Sequence, residues 1–189
     1  MGPKTRTGRD DGLGTTTGKD HGSDTVRAVI FDMDGVLVDS EPLWRRAEVA
    51  VLRPLGVPIT EELCALTMGL RADEVVRYWS SRHPWTSRAH TDVVAEMIDT
   101  VESMLGDVEP LPGAVRAVIE VRALGVPVAL ASSSSRRLIA AVLRGLDLES
   151  VFDVVHSAES EPFGKPHPAN ERWAAVLCRG CGSWLCRRG

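Results

Sequence analysis

Apolar positions along the chain follow two different periods. "RAVIF" (27–31), "VPVALA" (126–131) and "VFDVVHS" (151–157) are short apolar runs rich in β-branched residues, the pattern of buried strands. Between the first and second runs the apolar residues recur at helical spacing instead. "EPLWRRAEVAVLRPLG" (41–56) has Pro42 near its first turn and closes on Gly56. "EELCALTMG" (61–69), "ADEVVRYWSSR" (72–82) and "TDVVAEMIDTVESMLG" (91–106) continue the pattern, the last carrying Val93, Val94, Met97, Val101 and Met104 before Gly106. No strand-like alternation interrupts this stretch, which predicts a small all-helical unit inserted between two α/β pieces. "PLPGAVRAVIEVRALG" (110–125) and "SSSSRRLIAAVLRGLDL" (132–148) each predict a helix leading to the next strand, with Leu138, Val142 and Leu146 spaced by four in the second.

Strands alternating with helices predict an α/β fold, a parallel sheet covered on both faces. In such sheets ligands gather beyond the carboxyl ends of the strands. Asp32 and Asp34 stand at that end of the first predicted strand and Ser132 at that of the second. Lys165, in "FGKPHP", lies in the loop beyond the third. Three strand ends can therefore deliver two carboxylates, a hydroxyl and an ammonium to one place.

Composition narrows the partners. The 189 residues suffice for one domain with a small insert. A net charge of −4 leaves no basic footprint for nucleic acid, and no apolar run approaches the roughly 20 residues that span a bilayer. The expectation is a cytoplasmic monomer with neither a nucleic-acid nor a membrane partner. Residues 1–24 are rich in Gly, Thr and charge and are expected to be a disordered tail. Within them "GLGTTTGKD" fails as a phosphate-cradling loop, because its spacing is short, Asp20 stands where a hydroxyl is needed, and no strand precedes it. Cys64 reads as a core residue. Cys178, Cys181 and Cys186 crowd into the C-terminal segment without the context of a zinc or redox site.

Adjacent carboxylates repel and resist burial, so Asp32 and Asp34 call for a cation or a reaction. Magnesium takes hard oxygen ligands of this kind together with substrate phosphate. Gly35 lets the chain turn directly after them. One aspartate could attack phosphorus and the other could handle protons. Ser132 would hydrogen-bond phosphoryl oxygens at a helix start, and Lys165 would hold negative charge as a compact cation. Every other Lys or Arg after Lys19 is arginine, which makes this lysine conspicuous. Plainer readings exist for the same residues. An isolated Asp-x-Asp-Gly is commonly a turn, and Gly35 comes too early for a calcium loop. Ser134 or Ser135 can serve as a helix N-cap, and Arg71 alone reads as a solvated residue at a helix start. Trp79 and Trp85 read as helical core, and Asp39 as a residue that caps or orients the start of the helical unit.

"FDMDGVLVDSE", "VALASSSS" and "GKPHP", in that order, resemble the haloacid dehalogenase-like phosphatases with a helical cap. "DSEPLWRRAE", "TMGLRADEVVRYWSSRHPW" and "EPLPGAVRAV" look like the sugar-phosphatase branch acting on hexitol and 2-deoxyglucose phosphates, over roughly residues 26–168. The resemblance implies a Rossmann-like core (25–40 and 109–168) with an inserted α-helical cap (41–108). It implies a Mg2+-dependent phosphatase whose substrate is a small phosphorylated sugar. Asp32 would be the nucleophile and Asp34 the general acid/base, with the metal on the Asp32 carboxylate and the Asp34 carbonyl. Ser132, Ser133 and Lys165 would bind phosphate, and Arg71 would reach toward the substrate. The related phosphosugar mutases are a second catalytic reading. They carry a histidine where this chain has Trp44, which favours hydrolysis. The family's further acidic motif has no counterpart in "ANERWAAVLCRGCGSWLCRRG" (169–189), where Glu171 is the last acid. The core is therefore expected to be incomplete at the C-terminus, 169–189 to be aberrant through a shifted frame or truncation, and activity to be weak or absent. A non-catalytic remnant is the alternative.

Overall fold

A computed structural model of the chain describes residues 26 and 28–161. The predicted tail, Lys165, Glu171 and the three C-terminal cysteines lie outside the described residues. Three strands, β1 (Val29–Phe31), β2 (Val128–Ser132) and β3 (Val154–Ser157), form one parallel sheet in the order β1-β2-β3. The register pairs Phe31 with Leu130 and Ser132 with Ser157, so the chain leaves all three strands toward the same end of the sheet. Every residue of β2 is buried, as the central position requires. The strands are shorter than the apolar runs that announced them. Val126 and Pro127 precede the ladder of β2, and Val151 and Phe152 pack into the core ahead of β3 rather than joining it.

Five helices complete the described chain: α1 (Glu41–Leu52), α2 (Ala72–Arg82), α3 (His90–Met104), α4 (Ala114–Ala123) and α5 (Arg136–Gly145). The first three fall between β1 and β2 and make their own core, in which Leu52, Val76, Trp79, Val93 and Met97 are buried. Trp85 packs against that core from its edge. A second core around Leu37, Val118, Leu130 and Leu148 joins α4 and α5 to the sheet. Leu138 of α5 belongs to the first core although its helix packs on the sheet, which couples the two lobes. "EELCALTMG" departs from expectation. Only Leu63–Leu66 is helical, as a single 3-10 turn, with Cys64 buried and Leu63 and Leu66 exposed. Gly69 at φ +79° follows that turn and ends any helical run there.

The loop after β1 sets up the site. Met33, Leu37 and Val38 are buried, and the Leu37 and Val38 amides both donate to the Met33 carbonyl (2.8 and 3.2 Å). Gly35 sits at φ +74° and donates to the Val38 carbonyl (2.9 Å), closing a tight turn that a side chain would strain. Burying Met33 and Leu37 anchors the turn, and Asp32 and Asp34 face away from that core. Pro42 lies in the first turn of α1, as the sequence predicts. Asp39 does not cap this helix. It is exposed, and the N-cap position belongs to Ser40.

Candidate active site

One cleft of about 950 Å³ lies between the strand ends and the helical lobe. Its floor carries Asp32 and Asp34 from the β1 loop and Ser133, Ser134 and Ser135 from the turn between β2 and α5. Its roof carries Trp44, Val75, Val94 and Ile98, with Glu48, Thr67 and Arg71 among them. The helical period accounts for the roof. Trp44 and Glu48 on α1 are one turn apart, as are Val94 and Ile98 on α3, so each pair presents to the same side.

Asp34 is the hub of the floor. Its Oδ1 accepts from the Ser40 hydroxyl (2.5 Å), and its Oδ2 accepts from the hydroxyls of Ser132 (2.8 Å) and Ser134 (2.9 Å). Hydroxyl donors from three points of the chain thus fix this carboxyl and spread its charge. Ser132 is almost wholly buried and also accepts from the Ser134 amide (2.9 Å), so it braces Asp34 from below while Ser133 and Ser134 line the cleft. Asp32 Oδ1 accepts from the Met33 amide (2.8 Å), which orients the carboxyl at the mouth of β1. Ser135 is the N-cap of α5, its hydroxyl accepting from the Leu138 amide (3.3 Å). The Ser157 hydroxyl, at the end of β3, donates to the Ser134 carbonyl (2.6 Å) and holds the serine turn in place.

Arg71 is not the solvated residue its position suggested. It is 9% exposed, and Nε and Nη2 form a fork on the two Asp73 oxygens, both at 2.9 Å. Its Nη1 donates to the carbonyls of Ala158 (2.9 Å) and Glu161 (2.6 Å) in the segment after β3. This side chain ties the helical lobe to the sheet lobe at the edge of the cleft. Burial pushes the Asp73 carboxyl upward, but the Arg71 and Arg77 guanidiniums outweigh that and hold it below its ordinary range.

Glu48 was missed in the sequence, where it reads as one more charge on a helix. It is buried, and burial pushes its carboxyl up to about 7, against hydrogen bonding from Thr67 that pulls it down. The Cys64 thiol beside it is pushed up to about 12, first by burial and then by the nearness of Glu48, so it is no nucleophile. Ser40, Ser134 and Thr67 were also not singled out for the site. A serine before a helix signals a cap, and nothing in the sequence says its hydroxyl will turn to a carboxylate instead.

A family model described as haloacid dehalogenase-like hydrolase matches residues 26–170. The chain belongs to the haloacid dehalogenase-like hydrolase family. Hexitol phosphatase B of Escherichia coli (strain K12) is 44% identical over 146 residues, covering 76% of this chain and 65% of the relative. A phosphorylated carbohydrates phosphatase of Thermotoga maritima is 33% identical over 153 residues, covering 76% of this chain and 66% of the relative. This haloacid dehalogenase-like chain thus spans just under two thirds of the length of those curated relatives. The crystal structure of CbbY from Rhodobacter sphaeroides in complex with phosphate superposes with a TM-score of 0.70 at 23% identity, over 81% of this chain and 72% of that one, which establishes the shared fold. No described helix is long and apolar enough to cross a membrane.

The donor set of the floor suits a hard divalent cation. The Asp32 and Asp34 carboxylates open on one cleft, and among the described residues no cysteine or histidine lines it with them. Among the described residues no cluster of three or more acidic, histidine or cysteine side chains would hold a metal by itself. A magnesium-type site, sharing its ligands with substrate phosphate, fits this arrangement better than an all-protein cage.

Proposed function

We propose that this chain hydrolyses small sugar or sugar-alcohol phosphates through an aspartyl-phosphate, with the helical lobe (41–108) acting as a cap over a Rossmann-like core. The observation that carries the reading is that Asp32 and Asp34 open together on the floor of a cleft roofed by α1, α2 and α3. The likeness to hexitol phosphatase B and to the phosphorylated carbohydrates phosphatase supports the choice of substrate class.

The Asp32 carboxylate attacks phosphorus, and the bond from phosphorus to the ester oxygen breaks as the acyl phosphate forms. Asp34 delivers a proton to the departing sugar oxygen, and then takes one from the water that attacks the acyl phosphate. Phosphate leaves and both carboxyls return to their starting state. The hydroxyls of Ser40, Ser132 and Ser134 keep Asp34 pointed at the ester oxygen through both transfers. Ser133, half-buried in the cleft lining before α5, and Lys165 are proposed to bind phosphoryl oxygens, with Ser132 contributing through the same turn. A Mg2+ ion held by Asp32 and Asp34 would offset the negative charge of the phosphoryl group. Trp44 supports hydrolysis over transfer to a second sugar hydroxyl, because an indole in the roof offers a donor but no base.

Phosphate release from hexitol and hexose phosphates, with and without Mg2+ and beside an Asp32→Asn variant, tests the reading. Release that needs both the metal and Asp32 supports it. Equal background from the two proteins overturns it in favour of a non-catalytic remnant.

A further inference from the structure

Beside the Arg71–Asp73 ion pair, the roof of the cleft contains a polar pair that the chemistry of the floor does not use. Trp44, Val75, Val94 and Ile98 give the roof an apolar surface, and Glu48 and Thr67 interrupt it. Both are nearly inaccessible, at 4% and 1% exposure, yet both line the cleft that Asp32 and Asp34 line from below. A carboxyl is costly to bury in such a surface, where a well-packed apolar residue would serve as well. Thr67 answers one of its oxygens from within the protein, and the carboxyl's place in the cleft lining leaves it within reach of a ligand hydroxyl.

The geometry indicates the form of that carboxyl. Thr67 Oγ1 lies 2.8 Å from Glu48 Oε2 and 3.0 Å from the Cys64 carbonyl. A threonine hydroxyl has one proton and cannot fully serve two acceptors. If it donates to Cys64, the short contact to Glu48 is satisfied only when Glu48 carries the proton. Burial acts in the same direction. With its proton on the Thr67 contact the carboxyl keeps lone pairs that accept from a ligand hydroxyl, and a neutral carboxyl offers no charge to hold a second anion.

We infer that Glu48, seated on Thr67, is a specificity-determining residue that reads a hydroxyl on the neutral polyol end of the substrate, opposite the phosphate. The ligand class is therefore a monophosphate ester with a hydroxylated, uncharged tail, preferred over bisphosphates and over esters with no hydroxyl. This inference rests on the phosphatase reading above. Trp44, one turn before Glu48 on the same face of α1, supplies an apolar wall for the carbon chain of such a tail.

The test uses the full chain and two esters, a hexitol phosphate and phenyl phosphate, with kcat and KM measured for each. Glu48→Leu should lower kcat/KM for the hexitol phosphate by about 10- to 100-fold, mainly through KM. The loss on phenyl phosphate should be smaller by at least about 10-fold, because phenyl phosphate has no hydroxyl to read. Glu48→Gln, which still donates and accepts, should recover most of the loss. Where Glu48→Leu fails to fold by thermal melting, Thr67→Val is read against the same contrast. Equal losses on the two esters, or no loss on either, overturn the inference while leaving the phosphatase reading intact. A wild-type chain inactive on both esters overturns both.

Discussion

Floor and roof of the cleft are built on opposite terms. On the floor, polar side chains hang from strand ends and the turns that follow them, and they engage one another: three hydroxyls on Asp34, an amide on Asp32, a hydroxyl from β3 on the serine turn. The roof is made of helix faces and the loop before α2, with an apolar surface broken by Glu41, a buried carboxyl with its threonine, and the Arg71 fork. A satisfied polar network resists rearrangement, whereas an apolar helical face changes shape with each side chain it presents. On the proposed function, the contrast puts the chemical step on the sheet lobe and the choice of substrate on the helices.

The deepest cut through that contrast is Asp32→Asn. It should lower phosphate release by about 1,000-fold or more, since the proposed nucleophile is lost, with little change in melting temperature because an amide fits the same space. A large loss of stability alongside the loss of activity would mean that Asp32 holds the loop together and that floor chemistry and floor structure are one thing. Roof substitutions should never approach this effect on a small ester such as phenyl phosphate.

Next in size is the pH response of the roof. The Glu48 carboxyl lies at about 7 against an ordinary 4.5, so the folded chain holds a proton there that the unfolded chain releases sooner. The group's contribution to stability is full below pH 4.5 and is lost as pH rises through about 7, a change on the order of 3 kcal/mol. Burial is the main cause, with Glu41 adding to it, and Thr67, Trp79 and Cys64 face the group and oppose it. Glu48→Gln has no proton to lose. Its melting temperature relative to wild type should therefore rise between pH 5 and pH 8. A constant difference across that range would show that Glu48 stays ionised and that the roof is not neutral.

The floor was largely legible in the sequence and the roof was not. Asp32, Asp34 and the serine turn stand where apolar β-branched runs stop, and strand ends of a parallel sheet must converge, so linear order alone brought them together. Glu48 and Thr67 lie far apart along the chain, and they meet only because a 3-10 turn delivers Thr67 beneath α1. Helical spacing marks which residues share a face, but it does not say which face another helix will cover. The burial of Arg71 was hidden for the same reason. Its carbonyl partners, Ala158 and Glu161, belong to a loop on the other lobe, and no local pattern announces them.

Arg71 also offers the means to separate floor from roof. Arg71→Lys keeps the charge but loses the fork on Asp73 and at least one of the carbonyl contacts, at a cost of about 1–2 kcal/mol. If this tie sets how the lobes sit across the cleft, the variant should raise KM for a hexitol phosphate about 10-fold and change kcat little. A fall in kcat with KM unchanged would instead assign Arg71 to the phosphoryl group in the transition state.

The smallest effect is the most informative about how the two regions join. Ser40 holds the N-cap position of α1, the first helix of the roof, yet its hydroxyl makes no capping bond and donates to Asp34 on the floor. A capping serine replaced by alanine costs about 1 kcal/mol of stability and leaves a distant reaction alone. Ser40→Ala should behave in the reverse way. The melting temperature should move by less than a lost cap would move it, because no cap bond exists to lose. Phosphate release should fall several-fold, up to about 10-fold, because Asp34 loses the donor on Oδ1 and keeps those on Oδ2. Ser40→Thr, which restores the hydroxyl, should recover the rate. If alanine costs stability and spares the rate, Ser40 belongs to the helix. If it spares stability and costs the rate, the first residue before the roof is part of the floor, and Asp34 is held in place by the same short segment that launches the helices above it.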